Sequence, residues 1–176
     1  MLKQVRISGF GGQGVVLAGT ILGEAAAAEG RWVAGSSSYG AQARGGYARA
    51  DVVISDKPIV YPRVMDADLL VAMSQSAYDR YTAQLAPGAL VIYDETLVNP
   101  REIPGATQVP VAATALALKN TGARQAANMV MLGALAEMGK IVGRKVLAKV
   151  VESRSGAFKE ANLKALELGF ALGEGR

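Results

Sequence analysis

The sequence predicts an α/β fold: a doubly wound, mostly parallel sheet with a β-hairpin element and a helical C-terminal third. Three observations carry that reading. Short apolar runs alternate with amphipathic stretches of helical length up to Val111, the pattern of strand–helix–strand units. Beyond that point the apolar residues recur only at helical spacing. Of the 176 residues, 51% are apolar, enough for a substantial core. The length fits one domain spanning 1–176, and no internal repeat, low-complexity tract or linker divides it.

In chain order, Lys3–Ser8 alternates with Val5 and Ile7 apolar and reads as the first strand. The glycine cluster Gly9–Gly14 follows, then a helix over Val15–Ala28 with a buried stripe of Val16, Leu17, Thr20, Ile21 and Ala25. Gly30 supplies its C-terminal stop. Arg31–Gly35 reads as a short second strand, and the polar, glycine-rich Ser36–Gly46 as a long loop. Arg49–Ile54 and Lys57–Tyr61 flank Ser55-Asp56, which predicts the hairpin.

Asp68–Met73 is an apolar run typical of a buried strand, and Ser76–Leu85 is helical. Pro87-Gly88 reads as a turn before a second buried strand, Ala89–Tyr93, closed by Asp94. Asn99–Gly105 is a proline-bearing loop, and Thr107–Val111 a last short strand. Helices are then expected over Ala113–Asn120, Ala123–Met138, Arg144–Ser153 and Ala157–Leu172. Met129, Met131 and Met138 are candidates for an apolar face that a partner would cover.

Composition removes whole classes of chemistry. The chain contains no cysteine and no histidine. Thiolate nucleophiles, thiolate-held iron–sulfur clusters, Ser-His-Asp triads and histidine metal sites are therefore excluded. No catalytic residue and no metal ligand is nominated. Charge at Lys3 and Arg6 stands where a signal peptide would need its apolar stretch, and glycines and polar residues interrupt Ile7–Gly23 as a membrane span. A cytoplasmic protein without membrane partners is expected. The net charge of +4 comes wholly from residues 140–176, with 8 Lys/Arg against 4 Asp/Glu. It reads as a solvated helical face rather than a nucleic-acid surface, since no aromatic interleaving accompanies it.

Gly9-Phe10-Gly11-Gly12-Gln13-Gly14 is a G-x-G-x-x-G directly after a predicted strand and directly before a predicted helix. Glycines allow the tight turn, and the helix N-terminus offers unpaired N–H groups and a positive dipole end to an anion. A dinucleotide site also wants Asp or Glu closing the second strand, and Val33–Ser38 has none. No Lys-Ser/Thr pair follows the last glycine, so this is not a P-loop. A tight turn packing helix on sheet is the structural alternative.

Ser38-Tyr39-Gly40-Ala41-Gln42-Ala43-Arg44-Gly45-Gly46 forms a second motif, expected beside the first at the carboxyl edge of the sheet. Arg44, among small residues, could grip a carboxylate or phosphate. With these two motifs in order, the chain closely resembles the gamma subunit of 2-oxoacid:ferredoxin oxidoreductases. Val53-Ile54-Ser55-Asp56, Tyr61-Pro62, Leu70–Gln75 with Tyr78, and Asn128–Ala134 extend the resemblance over about residues 3–170. The family form carries Pro-Glu where this chain has Ala41-Gln42.

The resemblance implies a subunit of a larger complex that oxidatively decarboxylates a 2-oxoacid with coenzyme A, giving acyl-CoA, carbon dioxide and reduced ferredoxin. It implies alpha, beta and ferredoxin-like delta partners, which carry thiamine diphosphate, Mg²⁺ and iron–sulfur clusters, and electron delivery to ferredoxin through the complex. This chain would bind no cofactor alone. It would cover the active site and assist coenzyme A as co-substrate, through Gly9, Gly11, Gly12, Gln13, Gly14, Ser38, Tyr39, Gly40, Arg44 and Gly45. The wording of the loops is nearer the 2-oxoglutarate and branched-chain branches than the pyruvate branch, with 2-oxoglutarate preferred. Two other readings stand beside it: an independent nucleotide- or NAD-dependent enzyme, and an assembly module that touches no ligand.

Overall fold

The computed structural model describes residues 1–39 and 46–175. Six strands form one sheet in the order β2-β3-β1-β4-β5-β6. They are β1 (Leu2–Phe10), β2 (Trp32–Tyr39), β3 (Tyr47–Ser55), β4 (Ala67–Ala72), β5 (Leu85–Asp94) and β6 (Thr107–Val111). β1, β4, β5 and β6 run parallel, while β3 is antiparallel to both β1 and β2. The six helices are α1 (Val15–Ala28), α2 (Gln75–Tyr81), α3 (Ala113–Thr121), α4 (Ala127–Gly139), α5 (Arg144–Arg154) and α6 (Lys159–Gly173). The expected class is therefore observed, with a mostly parallel sheet, an antiparallel hairpin pair and a helical final third.

Strand alternation sends successive side chains to opposite faces, and the two faces differ in thickness. Val5, Ile7, Val52, Ile54, Leu69, Val71 and Ile92 point to the face covered by α1 and α3–α6, and form the main core. Leu70, Ala72, Val91 and Tyr93 point to the other face, where only α2 and connecting segments cover them, with Tyr78 and Tyr81 as the large buried side chains. α4 is the hub of the thick layer: every residue from Ala127 to Ala136 is buried. It meets α6 with almost no gap, because a Cβ on Gly169 would overlap the Val130 carbonyl and one on Gly133 the Leu166 carbonyl. Glycine at both positions lets the two backbones touch.

Several boundaries differ from expectation. Ser36–Tyr39 is strand rather than loop, since β3 supplies a full ladder from Ser36↔Asp51 to Tyr39↔Ala48 that outweighs the low strand propensity of serine. Lys57–Tyr61 is not a strand: Pro58 and Pro62 deny it backbone donors, and the hairpin pair is β2 with β3. Pro87-Gly88 lies inside β5, where Gly88 takes φ +75° and the register with β4 shifts between Ala67 and Leu69.

α1 buries Val15, Ala18, Gly19, Ile21, Leu22, Ala25 and Ala26, leaving Leu17 and Thr20 exposed. Its contact stripe is set by close approach, because a Cβ on Gly19 would meet Ala50. α2 ends at Tyr81, four residues early, and 3₁₀ turns at Arg124–Ala126 and Gly156–Phe158 precede α4 and α6. Met129 and Met131 are fully buried and Met138 is half-buried against the core, so these methionines are packing rather than interface. Among the described residues, no helix is long and apolar enough to cross a membrane.

Candidate functional site

β1 delivers the glycine motif to the carboxyl edge of the sheet. Gly9 and Phe10 still pair with Ala48 and Tyr47 of β3, and the chain then turns through Gly11–Gln13 into α1. Gly14 is the N-cap, in the left-handed region at φ +71°, so a side chain there would be strained. It would also run into the Asn128 amide, whose Nδ2 donates to the Gly14 carbonyl at 3.2 Å.

Gln13 locks the turn from within. Its Oε1 accepts from Phe10 N–H at 2.6 Å, and its Nε2 donates to the Met73 carbonyl at 2.8 Å, beyond the end of β4. Gly9 has no room for a side chain because Gln13 Oε1 and Met73 Cβ occupy that space. α1 carries no side-chain cap and no acid in its first turn, so its leading N–H groups and dipole remain available to an anion.

This turn forms one wall of a cleft of about 630 Å³. Phe10, Gly11, Gly12 and Gln13 line it together with Met73, Leu97, Thr114, Arg124 and Gln125. A smaller hollow of about 330 Å³ continues past Gly12 and Gln125 to Leu17, Asn128 and Phe158. The lining is mainly apolar, with backbone amides, two side-chain amides, a hydroxyl and a guanidinium, a mixture suited to a ligand with a phosphate and an apolar body.

The second motif ends on the first: Gly11 N–H donates to the Gly46 carbonyl at 2.9 Å. Ser38 and Tyr39 reach the same edge two strands away. Ser38 lies across from Arg49, and Tyr39 across from Ala48, 69% exposed. Gly40, Arg44 and Gly45 lie outside the described residues. The structure thus joins Gly9–Gly14 to Gly46, while Ser38 and Tyr39 line neither hollow.

Arg124, Gln125 and Phe158 were not legible as site residues. Arg124 and Gln125 are an exposed polar pair in the 3₁₀ turn just before the all-buried α4, and only that abrupt change marks them in the sequence.

A mixed α/β sheet thus brings a glycine turn, an uncapped helix N-terminus and an arginine to one cleft, in a chain with neither cysteine nor histidine. The chain belongs to the pyruvate ferredoxin/flavodoxin oxidoreductase family, which matches residues 4–172. It is 41% identical to the 2-oxoglutarate synthase subunit KorC of Methanocaldococcus jannaschii, over 97% of this chain and 93% of that one. The keto/oxoacid ferredoxin oxidoreductase gamma subunit of Geobacter sulfurreducens superimposes with a TM-score of 0.86 at 35% identity, over 97% of this chain and 98% of that one. The 2-oxoglutarate:ferredoxin oxidoreductase of Magnetococcus marinus, solved with 2-oxoglutarate, coenzyme A and succinyl-CoA bound, gives a TM-score of 0.90 at 27% identity. That match covers 99% of this chain and 31% of the longer Magnetococcus chain.

Proposed function

We propose that this chain is the gamma-type subunit of a cytoplasmic 2-oxoglutarate:ferredoxin oxidoreductase, a single domain over residues 1–176. The observation that carries the reading is the cleft lined both by the glycine turn that leads into α1 and by Arg124, in a fold shared with an enzyme solved with coenzyme A. The reaction joins oxidative decarboxylation of the 2-oxoacid to acyl transfer onto coenzyme A. Alpha, beta and ferredoxin-like delta subunits supply thiamine diphosphate, Mg²⁺ and iron–sulfur clusters, which a chain lacking cysteine cannot hold through thiolates.

This chain binds and orients. The α1 terminus and the amide of Gly12 receive a phosphate, Arg124 and Arg44 supply fixed positive charge, and Met73 and Leu97 shelter an apolar body. Gln13 keeps the amides aimed by fixing the turn at both ends. The NAD reading is weaker because no Asp or Glu occupies any position from Trp32 to Gly46.

The test is steady-state kinetics of the assembled enzyme, following dye reduction with varied 2-oxoacid and coenzyme A. Arg124→Ala and Arg44→Ala are each expected to raise the Michaelis constant for coenzyme A about ten- to a hundredfold, the loss of one charge-assisted contact. Arg→Lys at either position recovers part of it. Unchanged constants in both Ala variants retire the ligand-binding role. Turnover by this chain alone retires the subunit reading, and preference for a branched 2-oxoacid over 2-oxoglutarate retires the substrate.

A further inference from the structure

The two edges of the sheet are built differently. β6 ends one side with only five residues, and Pro110 within it has no N–H to offer a further strand. β2 ends the other side with eight residues in unbroken register on β3, from Trp32↔Ser55 to Tyr39↔Ala48. Trp32–Tyr39 contains no proline and no charged residue, and its outer backbone groups have no strand partner among the described residues. Proline, charge, brevity and bulges ordinarily keep such an edge from pairing with another chain, and β2 uses none of them.

The register on β3 also fixes where the β2 side chains point. Ala34 packs beside Val53 on the thin face, so Trp32, Ser36 and Ser38 share that face. Val33 packs on the main core, so Gly35, Ser37 and Tyr39 share the thick face. Two aromatic side chains stand out from the edge, Trp32 54% exposed on the thin face and Tyr39 69% exposed on the thick one. On the thick face a groove of about 350 Å³ runs between α1 and β2, lined by Gly19, Gly23, Val33 and Gly35.

Opposed residues of an antiparallel pair point to the same face of the sheet. A second copy of β2 meets that condition about a two-fold axis perpendicular to the sheet when the axis passes through a residue. With the axis at Ser36, Ala34 opposes Ser38, Gly35 opposes Ser37, and Val33 opposes Tyr39. Tyr39 of each copy then enters the glycine-lined groove of the other beside Val33, and Trp32 lies diagonal to Ser38 on the thin face. No unpaired charge meets its own copy at the axis. Asp51, the neighbour of Ser36 on β3, is held within its own chain by Arg6 at 2.8 Å and Arg49 at 3.4 Å.

From this self-complementarity we infer that β2 is a dimerisation edge, where two copies of this chain join their six-stranded sheets into one by antiparallel β2–β2 pairing. The inference does not rest on the coenzyme A reading, because Trp32–Tyr39 lines neither hollow of that cleft.

The experiment is sedimentation equilibrium of the full chain over a range of concentrations, where a reversible monomer–dimer equilibrium is expected. Ser36→Lys and Ser36→Glu each set two like charges against one another at the axis, and each is expected to weaken the dimer about tenfold or more. Mixing the two variants is expected to recover it, because lysine of one copy then meets glutamate of the other. Tyr39→Ser is expected to weaken it severalfold, and Tyr39 is exposed, so this variant reports even where a change at Ser36 disturbs folding. A monomer at every concentration overturns the inference, as does association that is unchanged in all three variants. A mixture of the Ser36 variants that associates no better than either alone overturns it too.

Discussion

The thick and thin faces of this sheet solve the same problem by different means. On the thick face, α1 and α3–α6 cover an unbroken apolar surface, and glycines bring backbones into contact where α4 crosses α6. On the thin face, one short helix and two connecting segments leave the cover incomplete, and a buried Arg6–Asp51 pair with its Gln84 and Val64 partners ties β1 and β3 to them. The thick face depends on shape, the thin face on charge. Shape tolerates no added atom, whereas charge tolerates no lost partner.

The contrast is broken most directly at Asp51. Asp51→Ala leaves Arg6 and Arg49 without a counter-charge, and the expected loss is about 3–5 kcal/mol in urea unfolding. Arg6→Met with Asp51→Leu removes both charges together, and is expected to cost far less. Equal costs for the single and the double change would show that the pair matters through its volume alone.

Next comes the helix crossing. Gly169→Ala forces a methyl group against the Val130 carbonyl, so α4 and α6 must separate, at an expected cost of about 1–3 kcal/mol in the same assay. A stability as high as the unsubstituted protein's would mean the crossing is looser than the packing implies.

The smallest effect belongs to a half-buried ion pair on the thick side. The Arg144 hydrogen bond holds Glu137 below the ordinary glutamate value of 4.5 against an opposing desolvation, and the charges of Arg144 and Lys140 add to the lowering. A carboxyl lowered in the folded state contributes stability above its unfolded value. That contribution disappears as pH falls through the lowered folded value. Arg144→Gln should therefore lower the melting temperature slightly at neutral pH, and the difference should close in acid. A difference that persists in acid would assign the effect to packing of Arg144 on Phe170, whose ring centre lies 5.3 Å away.

Those two faces were unequally legible. The apolar runs of β4, β5 and β6 and the helical final third stand out, because burial on both sides or along a stripe leaves a clear period. Arg6 did not: between Val5 and Ile7 it reads as a solvent-facing residue of an alternating strand, yet it is 2% exposed. Alternation reveals which side chains share a face but not whether a second layer covers that face. β2 was cut short for a related reason, since Ser36–Ser38 owe their strand conformation to the β3 ladder. At the site, Gly9–Gly14 was legible because a turn constraint is local in sequence. Arg124 was not, because it lines the cleft with Gly12, 112 positions earlier in the chain.

The position of β1 has a consequence in time. It precedes the other five strands in the chain, yet it lies inside the sheet, flanked by β3 and β4, which end at Ser55 and Ala72. Its apolar side is then closed by α4 and α6, the latter ending at Gly173. About 100 residues separate the completed centre of the sheet from its final cover, which at ordinary rates of synthesis is roughly 5–20 s. Until α4 and α6 follow, Ile7 and Val71 have only α1 to cover them, and a nascent chain in that condition is a client for whatever shields apolar surface at the ribosome.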